Sequence, residues 1–329
     1  MIIFTFISIL LVGWVLGKNN LANLFGTAIG TRMVRHRTAE ILAALFILIG
    51  AFLSGSGTTS SVLAISDLKT PIDILVVLIS AVLVMLCLSH WGIPASIVQT
   101  IVGSLIGWNI YHYTPTNWNL VKNTIGAWIW APIIATIISF VLMKWVKKIL
   151  ISRPISLIKR DMILRICLIT AGIMASYSLG ANNIGTLTGP FLSVFEDFSP
   201  TLVTLCVCGS IGIGCLMADK KVIETIGKKL FPLSPTEGFI VMLGTAVSMI
   251  IFSLESLRNF LILCHLPTFP LVPVPMSNVI IGAIIGISLT KEGHGLSLRV
   301  LGHILISWIV VPIIAGGLSF LLLSIGVKA

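Results

Sequence analysis

Charge is what this sequence has least of. Only 10% of its 329 residues are Asp, Glu, Lys or Arg, against about 25% in a soluble domain. A chain this poor in charge has little surface that could face water, which excludes an ordinary soluble enzyme or regulator. Carboxylates are scarce, 11 in all, and no two of them share an apolar run where they could act as a buried acid pair. The six cysteines (Cys87, Cys167, Cys206, Cys208, Cys215 and Cys264) lie inside apolar runs. They form no C-x-x-C pair and have no histidine at ligand spacing, so they read as packing residues. The histidines His36, His90, His112, His265, His294 and His303 are scattered too. No metal site, no cofactor and no Ser/His/Asp set is expected, and so no enzyme.

What the chain has in excess is apolar length. It is 57% hydrophobic, with a mean hydropathy of +1.09. Apolar runs occupy 2–31, 38–53, 71–89, 91–111, 121–143, 162–179, 200–218, 236–254, 273–290 and 300–325. A bilayer core needs about 20 helical residues per crossing. Helices satisfy their own backbone, and nothing here alternates as a barrel strand would. The fold class expected is an all-α integral membrane protein, with the first run kept as a helix and not cleaved as a signal. Sixteen of the 21 Lys and Arg gather in 31–37, 144–165, 219–234 and 291–299, as cytoplasmic loops do. The net charge of +10 therefore reads as topology. No basic patch is interleaved with aromatics, so no nucleic acid is expected as a partner.

The chain also repeats itself. Gly17-Lys18-Asn19-Asn20-Leu21-Ala22-Asn23, with Thr27 beyond it, reappears loosely as Gly180-Ala181-Asn182-Asn183-Ile184-Gly185-Thr186. Pro94 followed by Gly103 and Gly107 is echoed by Pro273 followed by Gly282 and Gly286, and Trp128-x-x-x-Pro132 by Trp308-x-x-x-Pro312. The three matches come in order, at offsets of 163, 179 and 180. The charge bias flips between the copies. Arg32, Arg35 and Arg37 follow the first motif, whereas Glu196 and Asp197 follow the second; 54–66 is uncharged, whereas its counterpart, 217–229, holds Lys220, Lys221, Lys228 and Lys229. The expected architecture is two inverted repeats, 1–150 and 151–329, of five crossings each with both termini outside.

Residues 2–31 would span about 45 Å as one helix, too long for one straight crossing. A helix break at Gly17, and its counterpart at Gly180, is expected near the midplane, where secondary transporters bind substrate. A half-helix starting near Asn19 would aim free N–H groups and a positive dipole end at an oxyanion. Asn20, Asn23 and Thr27 share one face, as do Asn182 and Thr186. The plainer reading of these residues is interhelical hydrogen-bond glue. Lys18 is an intramembrane charge, read either as a fixed cation that balances the anion or as a lysine snorkelling to the outer surface.

The duplicated G-[AK]-N-N-x-[AG]-[NT] element resembles the signature of the inorganic phosphate transporter (PiT) family, G-A-N-D-x-A-N. The stretch 221–229, the Pro94 and Pro273 segments and the Trp128 and Trp308 elements match as well, over nearly the whole chain. The resemblance implies an inverted-repeat carrier of phosphate, or in some members sulfate, driven by sodium or protons. It adds Ser96, Gln99, Ser277 and Asn278 to the substrate-binding set. This chain departs from the family where the motif Asp becomes Asn20 and Asn183, and where a Glu of the next helix becomes Ile47. Without those carboxylates a sodium site of the usual kind is not expected.

The expectation is a secondary transporter of an inorganic oxyanion, phosphate first, working by alternating access. The substrate-binding residues are Asn19, Asn20, Asn23, Thr27, Asn182, Asn183, Thr186, Ser96, Gln99, Ser277 and Asn278, with Lys18 balancing charge. A sulfate permease of the same fold and a non-transporting membrane receptor are the alternatives. The expected partners are phosphate or sulfate, the lipid bilayer and a coupled proton ahead of sodium, with a homodimer left open. A bacterial plasma membrane is the expected location.

Overall fold

Thr70-Pro71-Ile72-Asp73 and Ser234-Pro235-Thr236-Glu237 each put a hydroxyl before a proline and an acid three residues on, the signature of a helix start. In the computed structural model, which describes residues 1–55, 64–93, 95–152, 156–195, 197–218 and 230–326, both close as capping boxes. The Thr70 N–H donates to Asp73 Oδ2 at 3.0 Å and the Ser234 N–H to Glu237 Oε2 at 2.8 Å. The basic stretch 219–229, with Asp219 and Glu224, lies outside the described residues, as do 56–63, Pro94, 153–155, Glu196 and 327–329.

The described chain is helical, with no strand among the described residues. Its helices are α1 (Ile2–Gly30), α2 (His36–Ser54), α3 (Pro71–His90), α4 (Ile97–His112), α5 (Trp118–Ser152) and α6 (Leu157–Leu192). They continue as α7 (Pro200–Leu216), α8 (Pro235–Ile251), α9 (Glu255–Leu263), α10 (Met276–Leu289) and α11 (Leu298–Gly326). Large aliphatic side chains such as Ile41, Ile129, Ile137, Ile309 and Ile313 stand exposed around the outside. Water would penalise a surface of that kind, and lipid does not. Leu16, Leu21, Phe25, Ile47 and Phe191 fill the interior. The chain is an integral membrane protein.

The helix lengths bear on two expectations. By length and composition, six of the described helices can cross a membrane, or seven if α8 and α9, bent by 69° at their junction, form one span. Of the ten runs expected to cross, α4, α7 and α10 have only 16, 17 and 14 residues as helix. The runs leading into α4 and α10 enter as extended chain at 95–96 and 271–275. Pro270, Pro273 and Pro275 cannot donate to a helix and hold their predecessors extended.

The expected break at Gly17 and Gly180 is corrected. α1 and α6 run unbroken through Gly17 and Gly180, for 29 and 36 residues. Such lengths are accommodated by tilt and protruding ends. Gly17 is there for contact: a methyl group on it would collide with the Ile211 carbonyl of α7, and one on Gly180 with the Ile47 carbonyl of α2. The breaks lie instead where the extended feet of α4 and α10 enter the bundle.

Packing is exchanged between the halves. α1 packs on α7 while α6 packs on α2, and α4 packs on α11 while α10 packs on α5. Gly103 of α4 lies against Pro312, and Gly282 of α10 against Pro132. α1 and α6 run antiparallel. Phe6 meets Phe191 with ring centroids 5.7 Å apart, and Phe25 meets Gly172 towards the other ends. The motif segments 17–23 and 180–186 lie between these two contacts.

Candidate functional site

An asparagine in the middle of an apolar helix must satisfy its amide locally. Asn20 Nδ2 donates to the Leu16 carbonyl at 3.0 Å, and Asn183 Nδ2 to the Leu179 carbonyl at 3.2 Å. Both are bonds back to the preceding turn, which is why these polar residues do not break their helices. The first Asn of each pair reaches away from its own helix. Asn19 Nδ2 donates to the Ala95 carbonyl at 2.7 Å. Asn182 Nδ2 donates to the Val272 carbonyl at 3.2 Å, and its Oδ1 accepts from the Val274 N–H at 2.7 Å. Asn19 and Asn182 thus clamp the extended feet from which α4 and α10 start.

Those two helix starts are buried and carry no capping side chain. Ser96 is the N-cap of α4 and Pro275 that of α10, and neither makes a side-chain cap bond. Gln99 of α4, and Ser277 and Asn278 of α10, sit in the first turns and are buried. Ser277 Oγ donates to Asn278 Oδ1 at 3.4 Å. Each start therefore has backbone N–H groups and a positive dipole end inside the bundle. No helix starts near Asn19 or Asn182; the buried helix starts are those of α4 and α10.

The amides on α1 form a directed chain. Asn20 gives its Nδ2 to Leu16, so its Oδ1 is left to accept, and Asn23 Nδ2 donates to it at 2.8 Å. Asn23 Oδ1 is then turned outward, buried and without a partner. Asn19 Oδ1, one turn earlier on the same face, and the Thr186 hydroxyl are likewise buried and unpartnered. Buried polar atoms without partners are rare and call for a partner, whether water, ion or substrate.

Hydrogen bonds tie Asn19 to the foot of α4 and Asn182 to that of α10, while two residues of the predicted set are turned elsewhere. Thr27 lies at the far end of α1, where its hydroxyl reaches the Gly238 carbonyl at 3.5 Å. Lys18 holds its ammonium 5.3 Å from the centroid of the Trp14 ring. At 100° per residue it is about 140–160° around α1 from Asn20 and Asn23, so it does not join the amides.

Charge is absent from the cluster. Among the described residues the buried carboxylates are Glu40, Asp73 and Glu237, and each has a base. Glu40 lies 3.6 Å from His36, Asp73 lies 3.7 Å from His112, and Glu237 lies 2.7 Å from Lys291. Trp108 also donates its indole N–H to Asp73 at 2.8 Å. Among the described residues, no group of His, Cys, Asp and Glu could hold a metal ion.

The Asp73 and Glu237 pairs were not anticipated, although their capping-box sequences repeat at a constant offset. The two boxes stand at opposite ends of α1. Thr5 donates to the Pro71 carbonyl at 3.3 Å and Thr27 to that of Gly238, and those threonines are about 33 Å apart along the helix. The acids meet their bases at the C-terminal end of α4 and just beyond that of α10.

Comparison with known proteins places this geometry. The family model described as the phosphate transporter family matches residues 16–258. A Methanocaldococcus jannaschii protein named as a phosphate permease, MJ0630, is 28% identical over 310 residues, 94% of this chain and 92% of its own. The sulfate permease CysP of Bacillus subtilis is 27% identical over 319 residues, 95% of this chain and 85% of its own. A solved structure named "The sodium-dependent phosphate transporter" superposes with a TM-score of 0.80 at 20% identity, covering 99% of both chains. That likeness establishes the fold.

Proposed function

Because this chain belongs to the phosphate transporter family, we propose that it carries inorganic phosphate across the bilayer by alternating access at the buried amide site. The substrate sits between the N-termini of α4 and α10. Backbone N–H groups, Ser96, Gln99, Ser277 and Asn278 donate to its oxygens, while Asn19 and Asn182 hold the two feet in register. Asn183 and Thr186 complete the α6 side.

One observation carries the choice of phosphate: the directed amide chain ends in an acceptor, Asn23 Oδ1, with no donor facing it. Phosphate near neutral pH keeps at least one P–OH, a donor that suits this oxygen. Sulfate has no proton to offer and would bring oxygen against oxygen. The named sulfate permease among the relatives favours sulfate as the second reading, and one variant separates the two. A hydrogen bond involving a charged partner is worth about 1.5–3 kcal/mol. Asn23→Ala should therefore weaken phosphate binding roughly ten- to a hundredfold and leave sulfate binding almost unchanged. Equal losses for both anions would refute the discrimination by Asn23, and no loss for either would remove Asn23 from the site.

The remaining parts follow from symmetry and charge. Antiparallel α1 and α6, exchanged packing and matched capping boxes at opposite ends of α1 support two inverted repeats, 1–150 and 151–329. The Asp73–His112 and Glu237–Lys291 pairs then stand at the outer and inner mouths as matched closures. With no carboxylate in the amide cluster among the described residues, the site lacks the fixed negative charge that favours sodium. Uptake is then largely independent of sodium, and the proton travels on the substrate. Lys18 adds counter-charge from across the helix, through the low dielectric and without contact.

A further inference from the structure

Where α1 ends, Arg32 takes a left-handed conformation with φ of 60°, uncommon for a residue with a side chain. The turn it makes leads directly into α2, whose N-cap, Arg35, supplies no capping side chain. A cavity of about 430 Å³ opens here, lined by Arg32, Arg35, His36 and, from α6, Arg165. None of the three arginines has an acid within ion-pair distance among the described residues; the one neighbouring pair is His36 with Glu40 at 3.6 Å. His36 Nδ1 is buried without a partner. The cavity thus combines three unpaired guanidiniums from two parts of the chain, an uncapped helix start and a free imidazole nitrogen. The guanidiniums and the helix start attract an anion, and the guanidinium fork matches phosphoryl oxygens in particular.

The surroundings say how such an anion arrives. On α6, Met162 and Ile166 flank Arg165 and are exposed, and on α2 the exposed Ile41 and Leu45 continue beyond His36. These side chains belong to the lipid-facing surface, so the basic cavity opens at its border, at headgroup depth. We propose that it binds the phosphoryl group of an anionic phospholipid, apart from the amide site. Bound there, the headgroup would tie the α1–α2 turn to α6, two elements of opposite halves.

The test uses the full chain in a neutral detergent, with thermal unfolding followed as lipid is added. A short-chain phosphatidylglycerol should raise the melting temperature, and phosphatidylcholine of the same chain length should not. The triple variant R32Q/R35Q/R165Q should lose that response, with apparent affinity weakened on the order of tenfold or more, since exposed pairs contribute modestly one by one. R165Q alone should lose part of it, which keeps the test available if the triple variant folds poorly. Inorganic phosphate is the control for the source. If it reproduced the shift through the same arginines, without discrimination between the lipids, the phospholipid assignment would be overturned in favour of the free ion. A response to phosphatidylglycerol in R165Q and in the triple variant equal to that of the unmutated protein would overturn the site itself.

Discussion

Replacing Asn182 by alanine removes both hydrogen bonds that clamp the foot of α10. The Val272 carbonyl and the Val274 N–H are left without partners in a place where both residues are buried. A stranded buried group costs about 1–3 kcal/mol, so the pair costs about 2–6 kcal/mol. At about 1.4 kcal/mol per decade, local opening of 271–275 becomes roughly 30-fold easier or more. Asn19 makes one such bond, to Ala95, so Asn19→Ala should open its foot less, by about half that energy. Asn183 bonds only its own helix, and Asn183→Ala should leave the foot protected. Hydrogen exchange of the purified full-length protein, read over peptides covering 271–279, measures this directly, with phosphate uptake in proteoliposomes alongside. The expected order of disturbance at the α10 foot is Asn182→Ala first, with Asn19→Ala and Asn183→Ala near the unmutated level. Unchanged exchange over 271–279 in Asn182→Ala, or equal loss of protection there in Asn183→Ala, would refute the clamp.

Gly17→Ala and Gly180→Ala force a methyl group against backbone carbonyls that cannot rotate away. Each should destabilise the fold by about 1–3 kcal/mol, read as a lower melting temperature, and an unchanged value would mean that the helices do not meet there. Lys291→Ala leaves the buried Glu237 without its base. After allowance for the partly exposed lysine, the cost is about 1–3 kcal/mol, seen as inner-side opening by accessibility labelling, and Glu237→Gln in the same background should restore closure. For topology, a single cysteine at the exposed Tyr113 should react with an impermeant thiol reagent from outside in a cysteine-free background, and one at Leu157 should not. The reverse pattern would turn the proposed orientation over.

Composition alone made the membrane fold legible, because so little charge leaves almost nothing to face water. The amide motifs were legible as a duplicated polar element in apolar surroundings. Their mechanical role was not. Gly17 has the same letter whether it breaks a helix or lets another backbone approach, and only the position of Ile211 decides. Likewise, Asn19 and Asn20 are neighbours in sequence with opposite duties, one reaching to Ala95 and the other bonding Leu16. Lys18 looked like part of the site because it adjoins Asn19 in the chain, yet helical rotation carries it to Trp14. Asp73 and Glu237 were overlooked although T-P-x-D and S-P-x-E are visible in the sequence. Their bases, His112 and Lys291, lie far along the chain and become partners only once α4 and α10 fold back.

The central claim is that a neutral amide site moves phosphate without sodium. The measurement that tests it most directly is uptake of labelled phosphate into proteoliposomes, with sodium and proton gradients imposed separately and unlabelled sulfate as competitor. The account predicts accumulation driven by an inward proton gradient, little change when a sodium gradient replaces it, and weak competition by sulfate. Steep dependence on sodium, or sulfate taken up in preference to phosphate, would contradict it.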